Sequence, residues 1–506
     1  MKIIKMENHK AEYEKYKALR QKTADLENIL GLLSWDQEVY MPQEGAQFRA
    51  QQQATLSGVV HEMSTSPEYI KTLEKLYAAK DKFPFTERKN IEESYKSLKK
   101  NRKLPTDFIQ RESKAISEAY QAWMKARKEN NFQTFKPQLR TIISLQRDKA
   151  ELLGYQDHPY NALLDLYEPE MTVSKLDVIF ADVRKNLSTF FGKIKDKEQP
   201  DDSFFNTNFD KDAQIQLCRK LVEDLGYSWK SGRLDLSEHP FSISFNPQDA
   251  RITTRINETD IRESIWGSIH ETGHAFYELG LPAEQYGLPA GSPVSLSMHE
   301  SQSRLWENNV GKSQAYISAY MPLLKNAFPD AFGNVTDTQF FKGLNKVQPD
   351  LIRINSDEVT YHFHILLRYE LEKDLIDGTL SVNDLEEAWN AKIKGYLGLD
   401  VPSPKMGVLQ DIHWSHGSLG YFPTYSLGSF YAAQFYHFAE QAIPNLTDQI
   451  ANKQFGDLLN WLRENVHRHG HTFTSEELCK IATGEGLDYK YFDDYLNRKY
   501  AVVYGI

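Results

Sequence analysis

Cysteine is nearly absent from this chain. Cys218 and Cys479 are the only two in 506 residues, and they stand far apart with no CxxC spacing. That argues against a disulfide framework and fits a reducing compartment. Long apolar runs are lacking as well. The one long stretch free of Asp, Glu, Lys and Arg covers residues 412–439, and His413, His416, Pro423, His437 and several glycines interrupt it. A membrane helix needs about 20 consecutive, mainly apolar residues. The start, MKIIKMENHKAEYEKYK, holds no apolar core of signal-peptide length before its charges begin. A soluble, cytoplasmic protein with no membrane partner is expected. No long block of one charge sign occurs either: 60 Lys plus Arg stand against 70 Asp plus Glu, a net charge of −10. The densest basic run, KSLKKNRK near residue 100, reads as a solvated helix face, and no nucleic-acid partner is expected.

What is present is the composition of a globular protein, 40% hydrophobic and 26% charged. Apolar residues recur at three- and four-residue spacing over 8–30, 47–63, 87–102, 106–130 and 136–153, which predicts amphipathic helices. FSISFNPQDARITTRI, residues 241–256, changes to short β-branched alternation around Asn-Pro and predicts a small strand region. Helical patterns resume after Gly280, with KMGVLQDIHWSHGSLGYFPTYSLGS reading as a loop. No repeat or low-complexity linker divides the chain. The expected fold is mainly α: one catalytic unit over 1–506, with a helical lobe over roughly 1–200 and a site region over roughly 235–430.

The segment IWGSIHETGHAFYEL follows the strand region. Asp260 with Glu263 three residues on reads as a capping box, and Gly280 as a stop, so His270 and His274 belong to one helix. At i and i+4 their imidazoles share a face and can bind one Zn²⁺, while Glu271, about 100° around the helix, can serve as general base. The alternative is chance: an HExxH match arises in roughly three of a hundred chains of this histidine content. A third ligand must come from elsewhere. Glu278 lies roughly 12 Å along the axis from His270, too far to share an ion. A His at position 280 would mark the metzincins, and Gly280 excludes them. Glu300, on a helix that starts after Pro293, is the candidate, and from spacing alone it reads equally as a surface carboxylate. Glu307 shares its face but stands two turns further on.

The ordered set HPF (His239 to Phe241), DARIT (Asp249 to Thr253), HETGH (His270 to His274), HESQ (His299 to Gln302), IRINSD (Ile352 to Asp357) and GVLQDIHW (Gly407 to Trp414) resembles the carboxypeptidase Taq family of metallocarboxypeptidases. WDQEVYMP, Trp35 to Pro42, is similar to that family's N-terminal signature, and Ser356 stands where the family usually has Ala. The resemblance implies a mostly helical fold with a deep groove, one divalent ion per chain (Zn²⁺, with Co²⁺ activating some members) and a homodimer. It implies release of single C-terminal amino acids from peptides with a free C-terminus, with broad side-chain tolerance and poor action on C-terminal proline. Carried over to matching positions, His270, His274 and Glu300 are metal ligands and Glu271 is the base.

An oxyanion needs a donor opposite the metal, and His413 and Tyr421 on the aromatic-rich loop are the candidates, with core packing as the alternative for Tyr421. An exopeptidase must hold the terminal carboxylate, a task suited to an arginine fork. Arg353 and Arg251 are the candidates; the structural alternatives pair Arg353 with Asp357 and Arg251 with Asp249. HRHGH, His467 to His471, reads as a helix C-terminus rather than a second metal site. A zinc endo-oligopeptidase or aminopeptidase with the same ligands, and a helical binding protein with a dead site, are the competing functions.

Overall fold

Charged, amphipathic sequence dominates this chain, and helices carry nearly all of it in the computed structural model, which describes residues 2–506. The five segments marked by apolar spacing form the helices Lys2–Val39, Ala46–Ser64, Phe85–Arg102, Thr106–Glu129 and Lys136–Leu153. The buried apolar side chains fall into two main groups. One joins Phe108 through to Val503; the other links Tyr13, Tyr69 and Leu98 of the first helices to Leu288. KSLKKNRK is a solvent face as expected, with Lys96 on Glu170, Lys100 on Asp165 and Arg102 on Glu74. Among the described residues no helix is long and apolar enough to cross a membrane.

The β region is a three-stranded sheet of β1 (Leu234–Leu236), β2 (Ser242–Asn246) and β3 (Asp249–Thr254), with β3 in the centre. β2 and β3 form an antiparallel pair within the strand region read over residues 241–256. Gln248 N donates to Asn246 Oδ1 in their turn, an Asx arrangement that Asn favours. β1 lies outside that window and pairs in parallel with β3. The sheet lies against the next helix, Arg262–Gly280, where Thr254 Oγ1 donates to Ser264 O. That helix does not begin with the expected capping box. Asp260 accepts from Arg262 N and grips the Arg262 guanidinium at 2.8–3.1 Å, while Glu263 pairs with Arg255 at 3.5 Å. The carboxylate that would have capped the turn is taken by a stronger, charge-assisted partner.

The helix Leu296–Arg304 starts on Ser295, whose Oγ accepts from Met298 N, and runs into a π-helical segment, Leu305–Gly311. The expected loop ends earlier than read. A buried helix, Pro423–Ala442, begins inside it, with Pro423 in its first turn. Its small residues serve packing. A Cβ at Gly428 would stand 2.6 Å from Cβ and Cγ of Glu300, and one at Gly273 would stand 2.6 Å from Gln302 O and Ser303 Cα. Two glycines therefore let the helices before and after press against the Glu300 helix. HRHGH follows the helix Gly456–Asn465 as a tight turn. The segment thus stands at a helix C-terminus as read, and within it His467 is fully buried, bonds Gln302 Oε1 at 2.9 Å, and is pushed down to about 3 by burial. It is a neutral core group.

Candidate active site

Successive turns of the helix Arg262–Gly280 bring His270 and His274 together, and the following helix supplies Glu300. Nε2 of His270 and Nε2 of His274 stand 3.7 and 3.6 Å from Glu300 Oε2, and one ligand atom from each residue falls within a 4.8 Å set. Among the described residues this is the one such group of three. Three electron-pair donors facing one another require a proton or a cation between them. Two imidazoles and a carboxylate are a donor set for a divalent ion, and ligands at 2.0–2.1 Å in tetrahedral array stand about 3.3 Å apart. The residues present fit such an ion.

Each of the three donors has a partner behind it. His270 Nδ1 donates to Glu307 Oε2 at 2.8 Å. His274 Nδ1 meets His299 Nδ1 at 2.5 Å, and His299 Nε2 meets Glu278 Oε1 at 2.9 Å. Because Glu278 accepts from His299 Nε2–H, His299 Nδ1 accepts from His274 Nδ1–H, and both ligand Nε2 atoms keep their lone pairs. Glu300 Oε1 is held by Arg304 Nε at 2.7 Å, leaving Oε2 for the ion. Glu307 is also bound by Arg304 and by Lys312 Nζ at 2.7 Å. Burial pushes Glu307 up, but Lys312, Arg304 and His270 hold it well below the usual carboxylate range. Glu278 and Glu307 thus stand outside the group of three donors, in line with their spacing, Glu307 bonded to His270 and Glu278 to His299 behind His274. The π-helical turn that contains Glu307 is what spacing alone did not reveal.

Titration of the site follows its burial. Burial pulls His270 down, but Glu300 and Glu307 win and raise it; His274 is driven well below its usual range by burial and the neighbouring His299 and His270. Glu271, 7% exposed, is pushed up to about 7 by burial, with His270 opposing and Glu300 adding.

A second cluster, of arginine and aromatic residues, adjoins this centre. Arg353 is buried and pairs with Asp411, not Asp357: Nε and Nη2 donate to Asp411 Oδ1 at 3.2 and 3.0 Å, and Nη1 donates to Tyr361 Oη at 3.1 Å. Asp357 instead accepts from the backbone of Gln348, Val359 and Thr360. Asp411 also holds Arg368, which grips Glu372, and Glu372 accepts from Trp414 Nε1 and Gly420 N. The chain of charges ties Arg353 to the loop bearing His413 and Tyr421, whose rings stand 5.5 Å apart. His413 is pushed down to about 3 by burial, so it is a neutral imidazole, and its Nδ1 is buried without a partner. Tyr421 is raised by burial, with Glu300 close enough to add to the shift. Arg251 forms the two-point pair with Asp249, at 2.9 and 2.8 Å, between the rings of Trp35 and Phe245. Sequence reading missed Arg304, Tyr361 and Asp411; Asp411 was visible only as a member of GVLQDIHW.

A family model described as carboxypeptidase Taq (M32) metallopeptidase matches residues 15–500. Thermostable carboxypeptidase 1 of Thermus thermophilus is 38% identical, over 98% of this chain and 99% of that protein. Carboxypeptidase 1 of Bacillus subtilis is 34% identical, over 99% of this chain and all of that one. The crystal structure of the M32 carboxypeptidase from Deinococcus radiodurans matches with a TM-score of 0.96 at 35% identity, over 98% of this chain and 100% of that one.

Proposed function

The chain belongs to the carboxypeptidase Taq (M32) family and is a metallocarboxypeptidase, and on that premise we propose that it releases single C-terminal amino acids with Glu271 as base, His270, His274 and Glu300 as ligands of one Zn²⁺, and Arg353 as clamp. Co²⁺ is a substitute ion that also supports turnover. When bound, the ion supplies a Lewis acid that polarises the scissile carbonyl and acidifies water at the site. Glu271 takes the proton of the attacking water and passes it to the leaving amine; burial raises its affinity for that proton toward neutrality. His413 and Tyr421 donate to the developing oxyanion as neutral groups, which suits a depressed imidazole and a raised phenol.

The observation that carries the exopeptidase reading is the donor count of Arg353. A guanidinium has five N–H groups. Asp411 takes one from Nε and one from Nη2, and Tyr361 takes one from Nη1. One N–H remains on each terminal nitrogen for a carboxylate to accept. Arg251, gripped by Asp249, is the second candidate.

Broad acceptance of C-terminal side chains belongs to the same reading, because the half-buried ring beside the clamp, Tyr425, offers an apolar face rather than a selecting charge. C-terminal proline is a poor substrate, since its tertiary amide brings a ring and no N–H to the scissile bond. The chain acts as one catalytic unit over 1–506. A homodimer is supported by apolar surface such as Phe48, 71% exposed on a helix with no buried residue. Unpaired, buried Cys218 and Cys479 suit the cytoplasm. The test is kcat/KM on one peptide as free acid and as C-terminal amide. Wild type should strongly prefer the acid, Arg353→Ala should lose acid cleavage far more than amide cleavage, and Arg353→Lys should recover only part. Equal loss of both activities would make Arg353 structural and Arg251 the clamp to examine.

A further inference from the structure

Tyr361 is the first residue of the helix Tyr361–Asp377 and is 7% exposed. Its ring meets two guanidinium groups from different parts of the site. Arg304 Cζ lies 4.9 Å from the ring centroid, and Arg304 Nε holds Oε1 of Glu300 at 2.7 Å. Arg353 Cζ lies 5.8 Å from the same centroid, and Arg353 Nη1 donates to Tyr361 Oη at 3.1 Å. Two buried cations repel each other strongly where water is excluded. The phenol gives each a different negative surface: the π face for Arg304 and the oxygen lone pair for Arg353. One rigid side chain thus connects the carboxylate of the metal centre to the arginine of the substrate clamp.

We propose that Tyr361 is the spacer that fixes the separation between Glu300 and Arg353, so that the bond presented to Glu271 is the last one of the peptide. It is a positioning residue that acts through Arg304 and Arg353. The proposal rests on the reading of Arg353 as the clamp. With Tyr361 setting that separation, a peptide whose carboxylate sits on Arg353 leaves one residue between that anchor and the carbonyl at the His270, His274 and Glu300 centre. If the ring is lost, Arg353 and Glu300 are no longer held in register, and a longer piece can span the gap.

The test compares metal-loaded wild type, Tyr361→Phe, Tyr361→Leu and Arg353→Ala on one peptide as acid and as amide. Products are identified by mass spectrometry, and metal affinity is measured by chelator competition. Tyr361→Phe keeps the ring but leaves an Arg353 N–H unpaired. It should raise KM for the acid about tenfold with kcat within twofold, lower the acid-to-amide ratio by the same factor, and bind metal as tightly as wild type. Tyr361→Leu also removes the face beneath Arg304, so metal affinity should fall several-fold and dipeptides should appear among the released products. A wild-type acid-to-amide ratio in Tyr361→Phe, beside an Arg353→Ala protein that has lost it, overturns the spacer and leaves the clamp standing. Equal loss of both activities in Arg353→Ala overturns the clamp and the spacer with it. Should Tyr361→Leu fail to fold, Tyr361→Met, which also removes the ring, takes its place in the dipeptide and metal-affinity measurements.

Discussion

Replacing Gly428 by alanine puts a methyl group where Glu300 already is. The new Cβ would lie 2.6 Å from Glu300 Cβ and Cγ and 3.2 Å from its carbonyl carbon. Ordinary carbon contacts are about 3.5–4.0 Å, so one of the two helices must move by roughly 1 Å. Overpacking of this kind costs about 1–3 kcal/mol. The higher helix propensity of alanine returns about 1 kcal/mol, which leaves a net loss of roughly 0–2 kcal/mol. The effect on the metal should be larger. Ligand distances in working metal sites hold to about ±0.2 Å, and a displacement of roughly 1 Å exceeds that several times over. A fall in affinity of at least the 10- to 100-fold seen when outer-shell support is lost is expected. The assay is chelator competition for affinity, paired with thermal unfolding of the metal-free protein. Gly395→Ala is the control: that glycine lies exposed in the helix Leu385–Leu397 with nothing within 4 Å of a built Cβ, so the change should stabilise by about 0.5–1 kcal/mol. Wild-type metal affinity in Gly428→Ala would refute the claim that close helix contact sets the position of Glu300.

Glu271→Gln should keep about one metal per chain and lose on the order of 10³ in turnover, since the side chain is a base and not a ligand; loss of metal content would show the helix geometry misread. Glu300→Ala should abolish tight metal binding, whereas Glu307→Ala and His299→Ala should each weaken it roughly 10- to 100-fold through loss of imidazole orientation, and unchanged affinity in both of the latter would remove the partners behind His270 and His274 from the explanation. Acid should destabilise the metal-free fold through buried neutral histidines. His362, His364 and His467 are pushed down to about 3, 4 and 3 by burial. The folded state therefore binds fewer protons than the unfolded chain, so stability is full above about pH 6.5 and is lost as pH falls from there, by roughly 2 kcal/mol per histidine at pH 5. Denaturant midpoints at pH 7.5 and 5 check this, and His467→Gln should flatten the fall; an unchanged slope in that variant would count against it.

Local pattern carried the part of the site that lies within one helix. HETGH places His270, Glu271 and His274 by helical periodicity alone, and the structure has the two histidines side by side. Spacing alone left Glu300 evenly between ligand and surface carboxylate, because nothing local says that two helices will meet there. The contacts that decide the meeting come from Gly273 and Gly428, and in Gly428 the same smallness that permits close packing reads as a loop signal. Arg353 shows the same limit from another side. Its i+4 neighbour Asp357 is a plausible partner by spacing, yet the backbone amides of Val359 and Thr360 claim that carboxylate, and Asp411, remote in sequence, takes the guanidinium. Glu307 was read only as a carboxylate two turns beyond Glu300; its bond to His270 stayed hidden because the sequence does not announce the π-helical turn where they meet.

The most direct test is a digest of one peptide in three forms by the Zn²⁺-loaded enzyme: both ends free, N-terminus acetylated, and C-terminus amidated, with products read over time by mass spectrometry. Stepwise loss of single residues from the carboxyl end should proceed alike for the free and acetylated forms and nearly cease for the amide, and should stop when the metal is removed. Cleavage at internal bonds, or trimming from the amino end that acetylation blocks, would contradict a carboxypeptidase built on Glu271 and Arg353.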